Sequence, residues 1–501
     1  MKTAQKLERL YTDVYTFTSR ETRPAEAVAV FLHFCRQWEE ISMIQKSLSE
    51  IAQMAGALND VSRFGDVNVK GVSIDTRKIE EGNLFVPFKG ERTDGHNFVV
   101  DVIKNGGASV ALWQKDVPNP PEDLPIIIVE DTTVALQELA RSYRNSLDIK
   151  VVGITGSNGK TTTKDMTANL LALKYKVQKT EGNFNNHLGL PLTLLRLRED
   201  TEVAVLEMGM SSKGEIEFLT EMGRPDAVII TNIGESHLLD LGSREAIADA
   251  KLEIISGLRD NGLIIFNGDE PLLQERLQNY KGTGNLKTFG SSSDNDLYPV
   301  SVEAMENGSR FKTNHGDETF ELPVLGNHNI LNALAAMFAA EFLGVPFGKM
   351  NEGFAGLKLT NMRMELSEGT EGEKIINDAY NASPTSMNAA IDLVANLTGY
   401  SRKILVLGDM LELGPLEEDY HYQVGTSLDA GKIDLVFTYG KLSEMIAKGA
   451  TEVLGEEKVF AYQDKQALSD ELKKHVTNET IVLVKASRGM KLEEVVHSLQ
   501  K

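Results

Sequence analysis

Cysteine is almost missing from this chain. Only Cys35 occurs in 501 residues, so no disulfide can close within it, and the usage fits a reducing compartment. Long apolar runs are missing too. No stretch approaches the ~18 residues of a membrane-spanning helix, and the N-terminus carries Lys, Arg, Asp and Glu where a signal peptide would be apolar. Basic charge is scarce: 52 Lys and Arg stand against 73 Asp and Glu, for a formal net charge of -21. That balance opposes an extended grip on nucleic acid or an anionic membrane, so anionic ligands would need local basic pockets. Neither internal repeats of 20 to 50 residues nor a long low-complexity tract is present. What remains is a globular, cytoplasmic protein of near-average composition.

The length predicts about three domains at ~100 to 200 residues each. Residues 1–42 read as a helical extension, with apolar residues concentrated between Ala27 and Trp38. A small α/β unit is expected over 43–146, with a helix at 49–57 and short strands near 71–75, 83–87, 108–113 and 124–129. Over 147–362, apolar strands at 150–155, 202–207, 227–232 and 262–266 alternate with glycine-bearing turns and helices. Such alternation predicts a mostly parallel sheet, with ligands at the carboxyl ends of its strands. A third α/β series fills 363–501, with strands at 374–377, 403–407, 435–438, 458–461 and 480–485. The fold class is therefore α/β in three domains.

The run from Gly153 to Thr162, Gly-Ile-Thr-Gly-Ser-Asn-Gly-Lys-Thr-Thr, follows a predicted strand and precedes a helix. Glycines let backbone approach phosphate oxygens, and helix N-terminal amides point at the anion. Lys160 would reach the outer phosphates of ATP, and Thr161 would offer a hydroxyl to Mg²⁺. Strict P-loop spacing would need glycine at 154, where Ile154 stands, so this is a variant loop. Glu207 ends an apolar strand, where it reads either as a metal ligand or as a solvated carboxylate. His237 reads as a neutral imidazole ligand or as a surface or capping residue. Lys251, on a helical stretch at 243–257, reads from spacing alone as a solvated lysine. A metal role would require CO₂ to convert its ammonium into a carbamate.

The phosphate run, Glu207-Met-Gly-Met, the His237 loop and Lys251-Leu-Glu-Ile together resemble the Mur ligases of bacterial cell-wall synthesis, over residues 43–501. Further runs resemble the branch that joins D-alanyl-D-alanine to UDP-N-acetylmuramoyl-tripeptide. These are Asp75-Thr-Arg, Lys89 to His96, Gly182 to Asn186, Asp378 to Met387, Leu407 to Gly414 and Val484 to Met490. The resemblance implies an N-terminal UDP-sugar-binding domain, a central P-loop-type ATPase domain and a C-terminal Rossmann-like domain. It implies a monomer working through an acyl phosphate, with ATP, two Mg²⁺ ions and CO₂ on Lys251. Implied catalytic residues are Lys160, Glu207, His237 and Lys251, the last three joining Thr161 as metal ligands.

The resemblance extends further, residue by residue. Thr155, Gly156, Ser157, Asn158, Gly159, Lys160, Thr161, Thr162, Asn327, His328, Asn329, Arg363 and Asp378 are implied for ATP. Asp75, Thr76, Arg77, Lys89, Thr93, Asp94, His96, Asn185 and Asn186 are implied for the UDP-muramoyl peptide, and Tyr380, Asn381, Pro384 and Arg488 for the dipeptide. For several of these a structural role stays open: turn or cap for the asparagines and Asp378, polar turn for 93–96, salt bridge for Arg363. Two positions depart from the family pattern: Ser383 stands where Asn is commoner, and Ala486 where Gly is commoner. Another amide ligase of the superfamily and a nucleotide-switched binding protein remain alternative readings.

Overall fold

A computed structural model describes residues 43–501 apart from 91, 92 and 306; the extension expected at 1–42 lies outside the described residues. By contacts the chain forms two compact units, one through Leu139 with Leu195–Glu199, the other Ala140–Leu194 with Asp200–Lys501.

In the first unit, Gln45–Ser47 pairs antiparallel with Asn68–Lys70. A four-stranded parallel sheet runs in chain order through Val72–Ser73, Leu84–Phe85, Val110–Gln114 and Ile126–Val129. The helix Leu48–Ala55 begins on a capping box in which Ser47 and Glu50 satisfy each other's backbone amides. Phe85, Val99, Val102, Ala111 and Trp113 build the core under the sheet.

The second unit holds two large sheets with separate cores. The first is fully parallel, in the order Asn285–Phe289, Leu263–Asn267, Ala227–Ile230, Lys150–Thr155, Val203–Glu207, Val177–Lys179. The four inner strands are apolar runs buried on both faces, as parallel sheets covered by helices require. The edge strands Val177–Lys179 and Asn285–Phe289 are polar and escaped the sequence reading, as did an antiparallel meander, Pro299–Met305, Gly308–Thr313 and Thr319–Leu322. The second large sheet runs Glu365–Glu368, Lys374–Asp378, Thr480–Lys485, Arg402–Gly408, Leu435–Tyr439, Val459–Tyr462, parallel except for its first edge strand. A long helix, Asn327–Phe342, begins on the three residues Asn327, His328 and Asn329.

The strand Lys150–Thr155 delivers the phosphate loop, and its start is pinned by the buried Asp226. That carboxylate accepts the Val151 amide at 2.8 Å and faces Lys150 and Arg259, both at 3.4 Å. Asp226→Ala leaves the Val151 N–H unpaired, which costs about 1 to 3 kcal/mol. The expected reading is a lower urea midpoint with an unchanged slope.

Candidate active site

Two glycines give the phosphate loop its shape. Gly156 (φ 142°) and Gly159 (φ 80°) both adopt backbone that L side chains avoid. A Cβ at 156 would strike Thr231 Oγ1, and one at 159 would lie 2.6 Å from Asn332 Oδ1. The next parallel strand holds the loop from below: Thr231 Oγ1 donates to the Asn158 carbonyl (2.5 Å), and Asn232 Oδ1 accepts the Asn158 amide (2.9 Å). Lys160 Nζ folds back onto the carbonyls of Gly156 (2.8 Å) and Ser157 (3.2 Å). Thr155 spends its hydroxyl on the Met208 carbonyl at 2.9 Å, inside the sheet.

Glu207, at the end of its strand, is the anion at the centre. One oxygen accepts from Thr161 Oγ1 and the other from Asn185 Nδ2, each at 2.9 Å. Cations crowd around it. Burial pushes the Lys160 ammonium down, against the pull of Glu207, and Arg363 adds to the push. Lys251 is 1% exposed and makes no hydrogen bond or ion pair among the described residues. Burial, then the charge of Lys160, drive its ammonium well below the usual lysine range. His237 (φ 65°) is pushed down to about 4 by burial and by Lys251 and Lys160, so its imidazole is neutral near pH 7. Among the described residues no three of His, Cys, Asp and Glu gather to hold a metal ion. A cation site here must therefore draw on other donors.

Beside the loop opens a cleft of about 130 Å³. Asn158, Gly159 and Thr162 line it with His328, Asn329, Arg363 and Asp378. Asn327 is exposed and outside it. The Arg363 guanidinium lies 4.1 Å over the Tyr380 ring and reaches Thr161 Oγ1 at 3.4 Å. Left-handed methionines flank it, Met362 (φ 60°) and Met364 (φ 52°). Their amides are held by Glu365 (2.9 Å) and Asp378 (3.2 Å). Upstream, Asp165 of the loop helix accepts both the amide and the hydroxyl of Thr360, at 2.7 and 2.9 Å.

Asn381 borders this cleft and a second one, which Arg488 also lines and Pro384 does not. Pro384 is buried at the first position of the helix Pro384–Asn396, which Ser383 caps. Ser383 Oγ also donates to Asn158 Oδ1 at 3.3 Å. Ala486 is fully buried against Gly408, where any Cβ would lie 2.7 Å from its own.

Several implied ligand contacts are occupied internally. Asn186 Oδ1 accepts the amides of Leu188 (3.2 Å) and Gly189 (2.8 Å), a turn role. In the first unit, buried His96 uses both ring nitrogens. Nε2 accepts the Gln114 amide at 3.1 Å, which fixes the tautomer and makes Nδ1–H donate to Asp94 at 2.6 Å. Asp75 forks onto Arg77 at 2.9 and 2.8 Å, and those bonds hold its carboxyl down at about 2. Lys89 pairs with Asp116 at 2.6 Å, while Thr76 and Thr93 are exposed.

Three family models match the chain: Mur ligase family, catalytic domain, over 68–144; Mur ligase middle domain over 154–340; and Mur ligase, glutamate ligase domain, over 362–488. The chain belongs to the Mur ligase family. The UDP-N-acetylmuramoyl-tripeptide--D-alanyl-D-alanine ligase of Bacillus subtilis is 50% identical to it, covering 91% of this chain and 99% of that one. The Escherichia coli ligase of the same name is 37% identical, over 90% and 98%. The crystal structure of MurF from Acinetobacter baumannii superposes with a TM-score of 0.82 at 29% identity, covering 91% and 99%. The Thermotoga maritima MurF, solved in complex with ADP, gives 0.75 at 30%, covering 86% and 97%. This Mur ligase has the family's three-domain α/β fold and is an ATP-dependent amide-forming enzyme. No helix among its described residues is long and apolar enough to cross a membrane.

Sequence reasoning missed Thr231, Asn232, Asn267, Asn332 and Lys485, all lining the cleft beside the phosphate loop of this Mur ligase. Lys485 is buried, ion-paired with Asp378, and donates to the Asn381 carbonyl at 3.0 Å. Its signal was its place at the end of an apolar strand, in register with Asp378. Lys485→Ala strands a buried carboxylate and should cost about 3 to 5 kcal/mol. Chemical denaturation reads the loss, and ATP titration of the folded fraction should show a raised KM.

Proposed function

We infer that this Mur ligase joins D-alanyl-D-alanine to UDP-N-acetylmuramoyl-tripeptide, using ATP and releasing ADP and phosphate. The observation that carries the inference is the buried centre beside the cleft, where Lys160, Lys251 and Arg363 gather near Glu207, with Glu215 and Glu253 also acting on Lys251. Those cations suit a triphosphate and a carboxylate meeting in one place. The 50% identity to a ligase of that name over nearly all of it supports the substrates.

The tripeptide carboxylate is a poor electrophile. One of its oxygens attacks the γ-phosphorus, the bond to the ADP oxygen breaks, and an acyl phosphate forms. Lys160, freed from the loop carbonyls, neutralises the transferring group, while loop amides at the helix N-terminus hold the phosphates. Arg363 guides the nucleotide from the other side. The dipeptide amine then attacks the acyl carbon, and the tetrahedral adduct collapses to amide and phosphate. Positioning and charge carry both steps, so the protein forms no covalent bond to substrate.

Mg²⁺ fits this donor set on one condition. A bare Lys251 ammonium would repel it, but burial, outweighing the pull of Glu253, Glu215 and Glu207, favours the neutral amine, which can add CO₂ and lose a proton to become a carbamate. Thr161, Glu207, neutral His237 and carbamylated Lys251 would then hold two ions. When bound, the metal supplies charge neutralisation at the phosphate and carboxylate oxygens.

We assign residues 43–146 to the UDP-muramoyl peptide, with Asp75, Arg77, Lys89 and Thr93 as contacts, 147–362 to ATP and 363–501 to the dipeptide. A cytoplasmic monomer that touches neither nucleic acid nor membrane fits the net charge of -21. Phosphate release should require both UDP-muramoyl-tripeptide and D-alanyl-D-alanine. Lys160→Ala and Lys251→Ala should each lower it by at least about a hundredfold. Bicarbonate should not rescue Lys251→Ala, which has no amine to carboxylate. Near-normal turnover by either variant would overturn its assignment.

A further inference from the structure

The second cleft, about 110 Å³, has an unusual charge pattern. Ser236, His237, Asn381, Glu412, Ser487 and Arg488 are among its lining, and apart from His237 the only ionisable side chains there are one carboxylate and one guanidinium. A zwitterion needs such a pair, one group for each end.

Glu412 is held in place for this. Its backbone is left-handed (φ 67°), a conformation that persists in a non-glycine residue only where the surroundings over-determine it. Its carbonyl accepts the Leu239 amide at 3.2 Å, and the preceding Leu411 amide donates to Ser487 Oγ at 2.9 Å. The carboxylate itself makes no hydrogen bond among the described residues. His237 Nδ1 lies 3.0 Å away, yet that nitrogen has no partner with hydrogen-bond geometry. Arg488 commits Nη1 to Glu493 (2.6 Å) and to Met362 Sδ (3.2 Å), which leaves its Nε and Nη2 edge unspent.

We propose that Glu412 receives the ammonium end of the dipeptide and Arg488 its carboxylate, so that the cleft fixes the direction in which the acceptor enters. The inference rests on the reaction given above and adds a substrate residue to it. The dipeptide's amine must reach the acyl phosphate at the Lys160, Glu207 and His237 centre, and Glu412 is the carboxylate beside His237. Arg488, on a different loop of the same cleft, takes the end that does not react.

The test uses the full-length enzyme with saturating ATP and UDP-muramoyl-tripeptide and varies D-alanyl-D-alanine. Glu412→Gln should raise the dipeptide KM about tenfold and leave the KM for ATP within about twofold, while Glu412→Asp recovers part of the loss. The carboxyl-capped D-alanyl-D-alaninamide should be a weaker acceptor for wild type and for Glu412→Gln alike, whereas Arg488→Gln should barely distinguish it from the dipeptide. A wild-type dipeptide KM in Glu412→Gln would overturn the placement. So would a Glu412→Gln enzyme indifferent to the capped carboxylate. A wild-type enzyme that fails to ligate the dipeptide would instead overturn the reaction on which the placement rests.

Discussion

The burial of charge governs this site. Lys160, Lys251 and Arg363 gather near Glu207, whose two oxygens are already committed to Thr161 and Asn185. A folded protein does not bury cations without cost, and here burial, with like charges adding to it, depresses the basicity of both lysines. Only an anion or a change of charge state removes it. A triphosphate or a substrate carboxylate would do so, as would the proposed carbamate on Lys251. The rest of the second unit supports that concentration: parallel strands end at the site, and the loop glycines admit backbone where side chains would block it.

How much of this was legible in the sequence depended on whether the information was local. The inner strands of both large sheets were readable because a strand buried on both faces is a continuous apolar run. Val177–Lys179 and Asn285–Phe289 were not, because an edge strand needs few apolar residues and theirs is a polar composition. The phosphate loop was readable because its glycines, lysine and threonine are adjacent in the chain. Lys485, Asn332 and Glu412 were not, because each gains its meaning from a residue more than a hundred positions away, at Asp378, Gly159 and His237.

Residues implied by resemblance divide in a similar way. Asn185 reaches the central carboxylate, while its neighbour Asn186 closes a turn. His96 has both nitrogens bound within its own unit, and Pro384 starts a helix. In each case the polar or conformational capacity of the side chain is already used, and what is left for a ligand can be counted bond by bond. The two departures from the family pattern are also accommodated: Ser383 caps its helix as Asn would, and Ala486 fits because Gly408 beside it has no side chain.

The two left-handed methionines on either side of Arg363 put strain into this segment of backbone. Such backbone costs on the order of 1 kcal/mol or more per residue, and here it is held by carboxylates, Glu365 at one amide and Asp378 at the other. Asp378 also lines the cleft and anchors Lys485. One carboxylate therefore holds a strained backbone amide beside Arg363, borders the cleft and neutralises a buried lysine, so its replacement would disturb all three together.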